Sequence, residues 1–474
     1  MAFTGLVDRA LDRVSRTFRG VATGAREVVG APLRPDLPED DIPRLKARIE
    51  ACLSGPGGET AARVRAAELG SAYLTLSPEG RRRFLLILAR DYALDRAALA
   101  ATVARWQEAT DDKARAKAEA ELREALETPA TQLLALFNGL PEGVKFIVDL
   151  RAELLKLGRG DPAVARLADD LRRLLAIWFD VGFLDLRSID WHTPAALLEK
   201  LITYEAVHTI HSWSDLKNRL DSDRRCFAFF HPRMPDEPLI FVEVALVDGM
   251  AGDVHRLLDE AAPTRDPEDA NTAIFYSISN CQAGLAGVSF GNFLIKRVAA
   301  ELKRDLPNIR NFATLSPIPG FRSWLLKTLE AEGDKLLSDE EIDHLASVSP
   351  PPADAPEVPR GAGAIARLVS GGDWTKQPAA EIALKPVLIR LCARFLLGSK
   401  DGRALDRVAH FHLSNGARVE RLNWLGDASP NGLRQSCGLM VNYRYRLEDV
   451  DANHEAYADG TIVASGEVKR LAKA

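Results

Sequence analysis

The chain has 474 residues, 46% hydrophobic and 27% charged, with a net charge of −5 at pH 7. That length suits two or three domains, and the mildly acidic balance removes the electrostatic case for a nucleic-acid partner. No apolar run approaches the roughly 18–20 residues that span a bilayer. The scattered Cys52, Cys226, Cys281, Cys392 and Cys437 lack the spacing of a zinc site or a disulfide framework, so a reducing, cytoplasmic setting is expected.

The opening segment, MAFTGLVDRALDRVSRTFRGVATGAREVVG, is Arg-rich and amphipathic. Acidic residues are scarce in transit peptides, and Asp8, Asp12 and Glu27 interrupt this one. A surface helix is expected, with a mitochondrial transit peptide as the alternative. From there to about Ile189, Leu and Ala recur at three- and four-residue spacing, as in AARVRAAELGSAYLTL and VARLADDLRRLLAIWF. That is the period of amphipathic helices. Interruptions at Gly55–Gly58, Pro129, Pro141 and Gly158–Pro162 separate them. The pattern predicts an all-helical bundle over residues 1–188, used for packing or oligomerisation. No histidine occurs before residue 190.

Residues 189–474 read as a mixed-sheet α/β domain. CFAFFHP and PLIFVEVALV, separated by RMPDE, form a hairpin signal. NTAIFYSIS is a third strand and NFATLS a fourth. FLIKRVAAELKRDL is a helix with Leu294, Val298 and Leu302 on one face, stopped by Pro307; FRSWLLKTLEAEG is another. The Pro/Ala/Gly-rich stretch 349–364 is expected to be a surface insertion without chemistry. RVAHFHL and ARVERLNWL flank Ser414-Asn415-Gly416, and Asn-Gly between alternating runs signals a hairpin. In a strand there, His410 and His412 share a face. Tyr443 and Tyr445 in LMVNYRYRL share one likewise.

Three constellations can carry chemistry. The turn CQAGLAGVSFGN places Gly284, Gly287 and Gly291 between a strand and a helix. Such a turn can present backbone N–H groups to a pyrophosphate at a helix N-terminus. It lacks the Lys-Ser/Thr of a nucleoside-triphosphate loop and the G-x-G-x-x-G of a dinucleotide fingerprint; a tight βα turn is the plain alternative. Ser316 ends a strand before Pro317, in a loop stiffened by Pro319 and followed by Gly320. Extended geometry before proline suits presentation of its hydroxyl, although no nucleophile elbow is present and a turn or helix-cap serine is the alternative. His410 and His412 could serve as acid, base or metal ligand. No third ligand signal supports a metal, and spacing alone does not choose between them. His208, His211 and His231 are expected to be structural.

CQAGLAGVSFGNFLIKRV, TLSPIPGFRSWL, VAHFHLSNGARVERLNWLGD and SCGLMVNYRYRL together resemble the malonyl-CoA decarboxylase family, over residues from about 50 to about 450. The resemblance implies a helical oligomerisation domain and a catalytic domain similar to GNAT-type acetyltransferases. By it, Gln282-x-Gly284-x-x-Gly287 is the pyrophosphate loop. Ala286, Gly287, Val288, Ser289, Phe290, Gly291 and Asn292 then follow the phosphates and thioester arm of malonyl-CoA. Ser316 and His412 fall on the catalytic serine and histidine and also touch substrate, with Tyr445 supporting them. The resemblance, not periodicity, selects His412 over His410. Animal members of that family carry glutamate where this chain has Ser289, so if that acidic group orients the histidine, the task here falls to another group or to water. The implied reaction is conversion of malonyl-CoA to acetyl-CoA and CO2 without metal or organic cofactor, by a homo-oligomer (dimer or tetramer). An acyl-CoA-dependent acyltransferase and a non-catalytic acyl-CoA sensor are the alternatives.

Overall fold

The computed structural model describes residues 14–18, 32–288, 294–349 and 360–473. Between Ile42 and Trp178 the chain forms eight α-helices. Two prolines that interrupt the helical period in fact open helices. Pro129 and Pro162 sit in the first turn, behind the capping side chains of Thr128 and Asp161. A missing N–H costs nothing there, because the first N–H groups of a helix have no partner inside it. Two of these helices reach the sheet region: α1, Gly143–Leu157, and α2, Pro162–Trp178.

An eight-stranded mixed sheet follows. Its strands are β1 (Asp185–Ile189), β2 (Arg224–Phe230), β3 (Ile240–Val247), β4 (Thr272–Asn280), β5 (Asn311–Thr314) and β6 (Ser316–Pro317), then β9 (Arg418–Asn423) and β10 (Met440–Tyr445). The strands β7 (Ser399–Lys400) and β8 (Arg403–Ala404) form a separate small hairpin. The predicted hairpin over β2 and β3 is present and antiparallel. Alternation splits β2 between two cores: Phe227 and Phe229 join the large cluster that also contains the helical region, while Cys226, Ala228 and Phe230 face a smaller one. Strand β1 already belongs to this sheet, paired with β2.

One irregularity prepares the site. Strands β4 and β5 run parallel from Thr272 opposite Asn311 to Phe275 opposite Thr314. Beyond that point β4 continues to Asn280, whereas Ser316 and Pro317 turn to pair with Val441 and Met440 of β10. The two chains therefore part beside Ser316.

Two expectations need correction. RVAHFHL is not a strand: Arg407–Ser414 is a helix, α3. Asp406 Oδ2 accepts from the N–H groups of Val408 and Ala409, which is the N-cap that starts it. Ala409, His412 and Leu413 are its buried residues, an i, i+3, i+4 set that a short alternating string hides. Asn-Gly ends this helix instead of turning a hairpin. Gly416 has φ +78, and Ala417 N–H reaches back to the His412 carbonyl at 3.1 Å. Consequently His410 and His412 do not share a face. Of the predicted insertion, residues 350–359 lie outside the described residues, while a helix begins at Gly361.

The glycine turn is held by the helical region. Arg151 of α1 is buried, and its guanidinium donates to the carbonyls of Gly284 and Ala286 and to that of Ala168. A Cβ on Gly284 would run into the Val148 carbonyl oxygen of α1, so this glycine is required by a close helix–turn approach. Gly284→Ala should therefore destabilise the fold by about 1–3 kcal/mol, as overpacking does. Thermal unfolding checks this: a clear fall in Tm is expected, and an unchanged Tm contradicts the clamp.

Candidate active site

Ser316, His412 and Tyr445, separated by up to 129 positions in the chain, meet in one buried chain of hydrogen bonds. Ser316 Oγ lies 3.1 Å from His412 Nε2, and Tyr445 OH lies 2.8 Å from His412 Nδ1. All three are buried, and His412 is only 3% exposed. Strand β6 carries the serine, β10 the tyrosine and α3 the histidine. Tyr443, two residues from Tyr445 on the same face of β10, stacks on the imidazole with ring centroids 4.5 Å apart. The shared tyrosine face thus grips one ring by edge and by plane. Ser316 Oγ donates to Thr314 Oγ1 at 2.8 Å.

Asp406 joins the loop after Ser316 to α3. While Oδ2 caps the helix, Oδ1 accepts the Gly320 N–H at 3.4 Å. Burial pushes this carboxyl up from its usual range, against the N–H bonds that pull it down.

Burial also pushes the His412 imidazolium from 6.5 down to about 3. The ring is therefore neutral at pH 7, and desolvation of the charged form is the cause.

A cavity of about 920 Å³ lies beside the end of β4. Gln282 and Ala286–Val288 line it on one side, with Thr203–Ala206 nearby and His410, Phe411, Ser414 and Asn415 of the α3 region opposite. Gly284 does not line it, being turned to α1, and Ser316, His412 and Tyr445 lie outside its lining as well. The Gln282 side chain donates to the Pro238 carbonyl at 2.9 Å. The N–H groups of Leu285, Ala286 and Val288 are bonded within the turn, to the carbonyls of Gln282, Ala283 and Leu285. Gly287 takes the left-handed φ of +76. Ser289, Phe290, Gly291 and Asn292 fall outside the described residues.

Three participants were missed in the sequence. Thr314 and Arg151 carry no motif. Asn415 was visible only as a turn residue; it is buried in the cavity wall, where its Nδ2 donates to the Phe411 carbonyl at 2.8 Å and its Oδ1 has no partner among the described residues. His410 takes a different bond, from Nδ1 to Tyr457 OH at 2.7 Å. His231 bridges to the helical region through the Trp178 carbonyl, as a structural histidine does. Among the described residues no group of three or more His, Cys, Asp or Glu could hold a metal ion, and no helix is long and apolar enough to cross a membrane.

A buried serine–histidine–tyrosine chain next to a cavity of this size is the equipment of an enzyme. Family models for the malonyl-CoA decarboxylase N-terminal domain and C-terminal domain match residues 92–179 and 182–474. The chain is 38% identical over 420 residues to the mitochondrial malonyl-CoA decarboxylase of Anser anser anser, covering 85% of this chain and 82% of that protein. The Mus musculus mitochondrial enzyme is 40% identical over 375 residues, with 76% and 74% covered. The crystal structure of malonyl-CoA decarboxylase from Rhodopseudomonas palustris superposes with a TM-score of 0.79 at 42% identity, over 90% of this chain and 99% of that one. The chain belongs to the malonyl-CoA decarboxylase family.

Because the folded chain keeps His412 unprotonated, the unfolded chain binds the extra proton between about 6.5 and about 3. Stability rises with pH wherever the unfolded state holds more protons, so this contribution is present above 6.5 and lost as pH falls through that window. Urea midpoints measured down the acid limb should fall less steeply in His412→Gln than in the wild type. Equal slopes would show that the ring titrates normally.

Proposed function

We propose that this chain decarboxylates malonyl-CoA to acetyl-CoA and CO2, with His412 as proton donor, Ser316 as its proton-accepting partner and Tyr445 as the group that orients the imidazole. The carrying observation is the buried Ser316–His412–Tyr445 chain. When the bond from the methylene carbon to the carboxylate breaks, CO2 leaves and the electron pair passes into the thioester as an enolate. The thioester itself delocalises that charge, so the step needs no further electron sink. The enolate carbon then takes a proton, and the net reaction takes up one proton from water.

A neutral imidazole N–H can serve as donor to such a centre, and the burial that keeps His412 neutral also strengthens its interactions. A positioned acid contributes about 10²–10⁴ in rate. The parting of β4 and β5 gives the acyl arm a route from the cavity toward Ser316. In this reading the wall formed by Gln282 and Ala286–Val288 carries the coenzyme A arm. The unpartnered Asn415 Oδ1 suits an amide N–H of the pantetheine portion. Exposed Leu126 and Ile177 in the helical region support self-association, and five buried, unpaired cysteines support a reducing, cytoplasmic site.

The test is to mix purified protein with malonyl-CoA alone and follow acetyl-CoA by mass spectrometry. Stoichiometric acetyl-CoA is expected, with His412→Ala and Ser316→Ala folded but at least about a hundredfold slower. Native turnover by His412→Ala sinks the assignment. Binding without conversion would favour the sensor, and product only with an added amine the acyltransferase. Asn415→Ala should raise KM severalfold with little change in kcat; an unchanged KM removes Asn415 from the pantetheine contact.

A further inference from the structure

Thr314 is fully buried at the end of β5, two residues before Ser316. Its Oγ1 accepts two hydrogen bonds, from Ser316 Oγ at 2.8 Å and from the Tyr443 backbone N–H at 3.1 Å. Its carbonyl accepts from Asn442 Nδ2 at 2.7 Å, and Asn442 Oδ1 in turn accepts from Asn423 Nδ2 at 2.9 Å. The threonine is thus anchored on both its backbone and its side chain.

A serine hydroxyl has one hydrogen to give. Directed at Thr314, that hydrogen is unavailable to His412 Nε2, 3.1 Å from the same oxygen. The Ser316–His412 bond must then take its hydrogen from the ring. A neutral imidazole carries one N–H. With the hydrogen on Nε2, Nδ1 is left as acceptor for the Tyr445 hydroxyl, 2.8 Å away. Every bond is satisfied in a single direction, from Tyr445 through His412 and Ser316 to Thr314. The opposite polarity, in which serine donates to histidine, is that of a nucleophile being activated by a base.

We propose that Thr314 is a positioning residue that sets the proton polarity of the site: by accepting the Ser316 hydrogen it keeps the His412 proton on Nε2, on the side of Ser316, so that the imidazole acts as donor and not as base. The inference rests on the assignment of Ser316 and His412 to the reaction. Tyr443, whose N–H fills the second lone pair of Thr314 Oγ1, also stacks on the imidazole, so one residue fixes both ends of the device.

Two variants and two readouts test it. Thr314→Val keeps the shape and deletes the hydroxyl; Thr314→Ser keeps the hydroxyl. Nitrogen NMR of histidine-labelled protein, assigned with His412→Ala, reads the tautomer without requiring turnover. The wild type should show the Nε2–H form, and Thr314→Val should lose it. With malonyl-CoA, Thr314→Val should lower kcat about ten- to a hundredfold, the size of a misdirected acid–base group, with KM within about twofold. Thr314→Ser should restore both the tautomer and most of kcat, a rescue that a packing role would not require. A wild-type proton on Nδ1 overturns the proposal even if the valine variant fails to fold. So does a native kcat in Thr314→Val, or equal impairment of the serine and valine variants. Native turnover by His412→Ala would instead remove the assignment beneath it, while the NMR result still decides what Thr314 does.

Discussion

A neutral imidazole sealed among three distant chain segments is the constraint on which the rest of the site depends. Charging His412 would strand a cation away from water, and burial therefore forces the ring to stay neutral. A buried neutral ring still needs partners for both nitrogens. Ser316 and Tyr445 supply them, which requires β6, β10 and α3 to meet at hydrogen-bond distance. Asp406 holds that meeting from behind, capping α3 with one oxygen and taking the Gly320 N–H with the other. The loop that carries Ser316 and the helix that carries His412 are thus tied to a single carboxyl group.

The second constraint comes from the helical region. Arg151 occupies the carbonyls of the glycine turn, and Gly284 lets that turn touch the backbone of α1. The wall of the cavity is consequently braced by a different part of the chain from the one that carries the Ser316–His412–Tyr445 relay. Burial of Arg151 is tolerable because its guanidinium donates to three carbonyl oxygens, those of Ala168, Gly284 and Ala286. Helical packing therefore bears on the shape of the cavity wall, while the relay is carried by β6, β10 and α3.

Much of this was legible in the amino-acid sequence. The apolar runs at β2, β3 and β4, the amphipathic Leu294–Asp305 helix and the extended geometry at Ser316-Pro317 follow from local pattern, and the structure contains each. Family resemblance, not pattern, selected His412. Local pattern failed at Arg407–Ser414, where eight residues are too few to separate a period of 2 from one of 3.6, and a capping aspartate decided the outcome. The glycine turn was legible in part. Its N–H groups at Leu285, Ala286 and Val288 close on the turn itself, and Gly284 answers to a helix distant in sequence. The role of Arg151 was invisible because its partners at Gly284 and Ala286 are brought near only by the tertiary fold, as is the Tyr443 N–H that Thr314 accepts; Asn415 carried no signal beyond that of a turn residue.

The most direct measurement is a structure of this protein bound to a malonyl-CoA analogue that resists decarboxylation. The methylene carbon should lie within about 3–3.5 Å of His412 Nε2, beside Ser316, with the pantetheine arm in the cavity between the glycine turn and α3. An acyl group that ends in that cavity, with His412 still closed off behind α3, would contradict His412 as the proton donor.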